Sequence, residues 1–254
     1  MLAISLQSGS NGNCIYVEAD GARLLLDAGI SGVQAKRRLA DFGRDIRRCD
    51  ALIISHDHRD HVRAAGIYQR KYGLPVYITH PTLAEADARC GLGKLSDVRH
   101  FAAGDVLDFG AAVVETIPTP HDGADGVGFV IRAGGARLGV LTDLGHPFEG
   151  LARTIASLDA VILESNYDPD MLEAGPYPAF LKARIRGPGG HLSNVEAAEL
   201  LASVEGKLQW ACLAHLSEHN NTPELALQTH RGILDDSLPL YVASRHKPVV
   251  LGVL

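Results

Sequence analysis

The chain is predicted to fold as an α/β protein, a four-layer αββα sandwich forming a single domain over residues 1–254. A meander of short apolar runs opens the sequence, and a second β-rich block begins near residue 112. Strand and helix patterns alternate after each block. Two β/α halves of this kind bury their sheets against each other and leave their helices outside.

Strand-like runs at Leu2–Leu6, Cys14–Val17 and Ala22–Leu26 are divided by the Gly/Asn-rich SGSNGN and by an Ala19-Asp20-Gly21 turn. A charged helical stretch at Val33–Arg38 precedes a β run at Ala51–Ser55. Residues 62–72 read as a helix, 75–79 as a strand and 81–90 as a helix. The second block has β runs at 112–117, 127–132 and 136–141, then a helix near 148–156 and a strand at 159–164. The last third carries a helix near 194–204, a strand at 209–214, a helix at 223–233 and strands near 239–242 and 248–253. No low-complexity linker and no short-period repeat divides the chain.

Of the 254 residues 46 % are apolar, yet no unbroken apolar run nears the length of a membrane span, roughly 18 residues. The opening MLAISLQSGSNGN lacks the basic and apolar regions of a secretory signal. A cytoplasmic protein is expected. Cys14, Cys49, Cys90 and Cys212 form no CxxC pair and read as free thiols, with Cys14 and Cys212 in strand runs as core residues. A net charge of −6 gives no general attraction to nucleic acid, although local patches and bound cations matter more than the total.

The chemistry concentrates at Ser55-His56-Asp57-His58-Arg59-Asp60-His61, directly after a buried strand. Imidazole and carboxylate together suit Zn, Mn or Fe. In an extended segment His56 and His58 point to the same side, while Asp60 and His61 sit where a helix starts and can aim at a second point. Further candidates follow strand-like runs: His121 in Pro-Thr-Pro-His-Asp, Asp143 in Leu-Thr-Asp, and His215 after Ala211–Ala214. The C-terminal ends of strands are where open α/β sheets gather ligands.

HxHxDH followed by His, Asp and His, each after a strand, resembles the metallo-β-lactamase superfamily over nearly the whole chain, and with it the αββα sandwich. The resemblance implies two divalent ions (Zn or Mn, with Fe as a further option). His56, His58 and His121 would hold one ion and Asp60, His61 and His215 the other, with Asp143 bridging and Asp27 supporting the site from behind. Two neighbouring dications would share a water, lower its pKa and polarise a phosphoryl or acyl oxygen. A bridging aspartate argues against a true β-lactamase, and His58 argues for hydrolysis rather than redox chemistry.

SGSNGNC, LTDLG, LESNYD, GPGGHLSN and LAHLSEHNN together resemble the YycJ (WalJ) subgroup of exonuclease-like DNA-processing enzymes, with Tyr167 standing where that subgroup's histidine is expected. The β-CASP insertion of many nucleic-acid processors is absent from the pattern. The resemblance implies a phosphodiesterase acting on nucleic acid, most directly a DNA exonuclease, with Asp60 and His191 as catalytic residues. Ser10, Asn11, Asn166, His191, Ser193, Asn194 and Ser217 are the candidate substrate contacts. Gly187–Leu192 leads into a Ser193/Glu196 capping box, so a phosphate site or simply a capped helix is expected there. The basic cluster of Lys36, Arg37, Arg38, Arg44, Arg47 and Arg48 reads as a solvated helix face or as phosphate contacts. A small-molecule hydrolase (cyclic phosphodiesterase or thioesterase) shares the ligand set. A metal-stabilised binding protein without turnover is the reading from another class.

Overall fold

The computed structural model describes residues 1–204, 208–234 and 236–254. β1 (Leu2–Gln7), β2 (Cys14–Ala19) and β3 (Ala22–Leu26) form the antiparallel meander, and β4 (Ala51–Ile53), β5 (Val76–Ile78) and β6 (Val98–His100) add to it in parallel. Their connections are α1 (Gly32–Ala40), α2 (Arg59–Val62), α3 (Ala65–Tyr72) and α4 (His80–Cys90). The second half repeats the plan. β7 (Val106–Asp108), β8 (Ala112–Pro118), β9 (Val127–Ala133) and β10 (Ala136–Leu141) are antiparallel, and β11 (Ala160–Glu164), β12 (Trp210–Ala214) and β13 (Leu240–Val242) continue in parallel. Helices α5 (Leu151–Ala156), α6 (Pro169–Ala174), α7 (Ala179–Arg186), α8 (Asn194–Ala202) and α9 (Pro223–Ile233) lie between them. The last strand, β14 (Val249–Val253), crosses back to pair with β1, so among the described residues each sheet has seven strands.

Period-two patterning decides which face each side chain takes. Ile15, Val17, Leu24, Leu26 and Ile53 of one sheet meet Phe129, Ile131, Leu138, Val140, Ile162 and Cys212 of the other in a central core. The opposite faces are covered by helices: Leu25 and Leu52 pack with Ala35, Leu39 and Tyr68, while Val161 and Leu163 pack with Leu151, Ile155, Ala197 and Leu201. These three apolar layers are the αββα sandwich. β11 and β12 are buried along their whole length, as strands covered on both faces must be.

The structure departs from the sequence reading in its smallest pieces. The 62–72 helix is divided, with α2 ending at Val62 and α3 starting at Ala65. The three-residue strands β6 and β7 were not expected. Nor were α6 and α7, separated by Gly175-Pro176-Tyr177-Pro178, whose apolar side chains form a private cluster with Tyr167, Leu172 and Ile185. Among the described residues no helix is long and apolar enough to cross a membrane. Cys14 and Cys212 are core residues, and all four cysteines are free.

Candidate metal centre

The carboxyl ends of β3, β4, β10 and β12 meet at one edge of the sandwich, and the HDHRDH segment leaves β4 there. Asp27 fixes its shape. Its Oδ1 accepts from the Ser55 amide at 2.8 Å, and its Oδ2 accepts from Ser55 Oγ at 2.9 Å and His61 Nδ1 at 2.7 Å. His61 is thereby left with Nε2 facing forward. His56 is held the same way, its Nδ1 2.9 Å from Ser55 Oγ and its buried Nε2 without a hydrogen-bond partner. His121 donates Nδ1–H to the Gly190 carbonyl at 2.7 Å, and its Nε2 lies 3.1 Å from His58 Nδ1. The amide of His215 donates to Ser8 Oγ at 2.8 Å, and its Nε2 lies 3.4 Å from Asp60 Oδ2. Back-side anchoring of a ring nitrogen is how metal-binding histidines are oriented.

Asp27, Asp143 and His215 have φ of 65°, 56° and 56°, in the left-handed region that costs a non-glycine residue about 1 kcal/mol or more. All three follow strands and turn their side chains into the site. Close backbone packing matters as well. A Cβ on Gly29 would lie 1.6 Å from the Asp60 carbonyl oxygen, so only glycine fits there and lets Asn13 donate its amide to that oxygen at 2.7 Å.

His56, His58 and His121 form one group with ligand atoms within 4.8 Å of one another, and Asp60, His61 and His215 form another. Asp143 lies against both, with Oδ1 3.6 Å from His121 Nε2 and Oδ2 3.3 Å from His61 Nε2. Its buried Oδ2 has no hydrogen-bond partner. Two buried polar atoms left unsatisfied among converging imidazoles are costly without a cation and natural with one, so this donor set fits metal ions. Charge follows suit. Burial and the surrounding imidazoles push His56 well below the usual histidine range. Burial pulls His61 down, but Asp143, Asp27 and Asp60 outweigh it and raise it to about 9. Asp60 is held far below the ordinary carboxylate range because His61 and His215 overcome its burial.

Sequence reasoning missed Glu164, the last residue of β11. It is fully buried, accepting from the amides of Leu144 (2.9 Å) and Leu192 (3.3 Å) on Oε2 and from His191 Nδ1 (2.7 Å) on Oε1, with His215 Nδ1 at 3.4 Å. Burial raises this carboxyl, but His191 and His215 outweigh it and hold Glu164 well below its usual range. Ser55 and Asp122 were also passed over as site residues. Asn13 Nδ2 lies 2.9 Å from His61 Nε2, and Asp122 spans His58 Nε2 (3.3 Å) and Arg184 Nε (2.7 Å).

An open cleft of about 370 Å³ lies over these groups, and Ser10, Asn166, His191 and Ser217 line it together with His58, Asp60, Asp143 and His215. Asn166 is buried, and its amide donates to the His215 carbonyl at 2.7 Å. Three expected substrate contacts do not line this cleft: Ser193 caps α8 through a box with Glu196, Asn194 is wholly buried between Ser165 and Asn221, and the Asn11 amide donates to the Arg245 carbonyl. The phosphate site expected before α8 is closed for the same reason. Glu196 takes the Ser193 amide and Glu164 the Leu192 amide. The 36–48 basic cluster does not line the cleft. Arg38 is buried against Leu6, Gln7 and His246, and Arg44 pairs with Glu18. His146 donates to the Pro188 carbonyl and joins no ligand group, and Tyr167 packs in the apolar cluster behind α7.

The family model described as a beta-lactamase superfamily domain matches residues 22–215. The chain belongs to that superfamily. Exodeoxyribonuclease YycJ of Bacillus anthracis is 34 % identical over 232 residues, covering 91 % of this chain and 88 % of the relative. Exodeoxyribonuclease WalJ of Streptococcus pneumoniae is 34 % identical over 227 residues, with 88 % and 84 % covered. The subgroup is therefore the YycJ/WalJ family. Among solved structures, Zn(2+)-bound PqqB from Methylobacterium extorquens superposes with a TM-score of 0.76 at 20 % identity, covering 100 % of both chains, a likeness of fold. A member of this superfamily with these histidine and aspartate clusters is a metal-dependent hydrolase.

Proposed function

We propose that this superfamily member is a dinuclear phosphodiesterase that degrades DNA from its ends, as the names of its YycJ and WalJ relatives describe for those proteins. The observation that carries the reading is Asp143, in reach of two imidazole-rich donor groups at the floor of a cleft that Arg59, Arg89 and Arg184 also line. His56, His58 and His121 would hold one divalent ion and Asp60, His61 and His215 the second, with Asp143 within reach of both groups. The imidazole-rich set favours zinc, with manganese as the alternative. Such an ion pair supplies Lewis acidity toward a phosphoryl oxygen and a water acidified to near-neutral pKa.

The chain's own groups do the rest. Asp60 lines the cleft and accepts the proton of the attacking water. His191 has Nδ1 committed to Glu164, so Nε2 is the ring atom left to hydrogen-bond the phosphoryl group and hand a proton to the departing sugar oxygen. Arg59 and Arg184 line the cleft through which the strand's phosphates pass, Arg184 held in place by its pairing with Asp122.

The test is elemental analysis paired with digestion of end-labelled DNA. The wild type is expected to hold two divalent ions per chain and shorten the DNA. An Asp60→Ala/His61→Ala double variant, still folded, should be slower by at least about 10³-fold. Wild-type cleavage by that variant refutes the mechanism. Turnover of a cyclic nucleotide or a glutathione thioester without DNA cleavage makes the protein a small-molecule hydrolase.

A further inference from the structure

Helix α7 forms one wall of the cleft: Leu181, Arg184 and Ile185 line it, and Tyr177 lines it from just before the helix. Ile185, Leu181 and Tyr177 are anchored behind by Tyr167 and Leu172, so the wall is fixed in place. Phe180 is different. It is 75 % exposed, and among the described residues it is the only aromatic side chain counted with the strongly exposed apolar ones. It lies four residues before Arg184, on the same helix face and about one turn away. Tyr177 supplies a second ring to the cleft wall, packed edge-on to His219 at 5.7 Å between centroids. Arg184 is paired with Asp122 and Arg89 with Asp57, while Arg59 lines the cleft without a carboxylate partner among the described residues.

We infer that the Phe180 rim is a stacking platform for an unpaired nucleobase, and that Arg59 binds the phosphate of the same strand. The inference rests on the nuclease reading above and deepens it. An exposed aromatic ring on the helix that walls a cleft, with an uncompensated guanidinium among that cleft's lining residues, matches a single strand, which offers a flat apolar base and an anionic backbone in alternation. A duplex keeps its bases stacked on one another, so such a platform selects frayed or single-stranded ends.

The test compares a single-stranded oligodeoxynucleotide, the same strand with an abasic terminal nucleotide, and bis(p-nitrophenyl) phosphate. Phe180→Ala is expected to lower the ratio of oligonucleotide to small-diester kcat/KM about tenfold through KM, and Phe180→Trp to restore it. The abasic strand should cost the wild type the same factor and cost Phe180→Ala nothing further, because both changes remove one contact. A wild type that cleaves the oligonucleotide no better than Phe180→Ala does, or an abasic penalty equal in both proteins, overturns the platform while leaving the nuclease reading intact. A wild type that hydrolyses the small diester but no oligonucleotide overturns both.

Discussion

Replacing Glu164 with glutamine changes a buried acceptor-only group into one with an obligatory donor, and nothing else in shape. The two backbone amides of Leu144 and Leu192 already point at Oε2, so the glutamine oxygen must stay with them. Its NH₂ is then turned toward His191 Nδ1, 2.7 Å away in the parent. That contact survives only if His191 moves its proton to the other nitrogen and accepts. The ring loses a charge-assisted hydrogen bond of about 1.5–3 kcal/mol to its positively charged form. If His191 protonates the leaving oxygen, the full amount enters the barrier, a loss of about 10- to 150-fold in kcat. The loss should depend on the leaving group. A sugar alkoxide needs the proton, whereas p-nitrophenolate departs almost unaided. Steady-state kcat for an oligonucleotide and for bis(p-nitrophenyl) phosphate, measured at equal metal loading, separates the cases. An equal fall for both substrates removes His191 as proton donor and leaves Glu164 a structural residue.

Asp27→Asn keeps one acceptor for Ser55 or His61 but not both, and is expected to weaken metal affinity by about 10- to 100-fold in a chelator competition; unchanged affinity would exclude Asp27 as the anchor. In the ion-free protein His61 is held protonated up to about 9 by Asp143, Asp27 and Asp60 against its burial, and coordination needs the neutral ring, so zinc should bind at least about tenfold tighter at pH 8 than at pH 6. The ion-free fold has the opposite sign: the raised imidazolium stabilises it fully below its unfolded value of about 6.5, and that contribution disappears as pH rises through about 9. PH-independent zinc affinity would show that His61 is neutral before the ion arrives.

The sequence announces the sandwich where runs are long and turns are marked, as in β1 to β3 and β8 to β10. β6 and β7 escaped because each is only three residues at a sheet edge, too short for a period to show. α6 and α7 escaped because their apolar residues face the cleft and a private cluster, so no stripe faces the main core. The site reads unevenly for a similar reason. His56, His58, Asp60 and His61 are adjacent, and their spacing is improbable for a turn. Glu164 ends the run Ala-Val-Ile-Leu-Glu and looks like the last residue of an ordinary core strand, because its partner His191 is 27 positions further on. Ser193 and Asn194 misled in the other direction, since a polar residue before a helix serves as a cap or a buried linker as readily as it serves a ligand.

The donors come from both sheets. His56, His58, Asp60 and His61 ride on one, and His121, Asp143 and His215 on the other. The two three-residue groups, His56/His58/His121 and Asp60/His61/His215, therefore each draw on both halves of the molecule. Neither of these groups closes until the halves have docked in register, so an ion held by either would report that docking is complete.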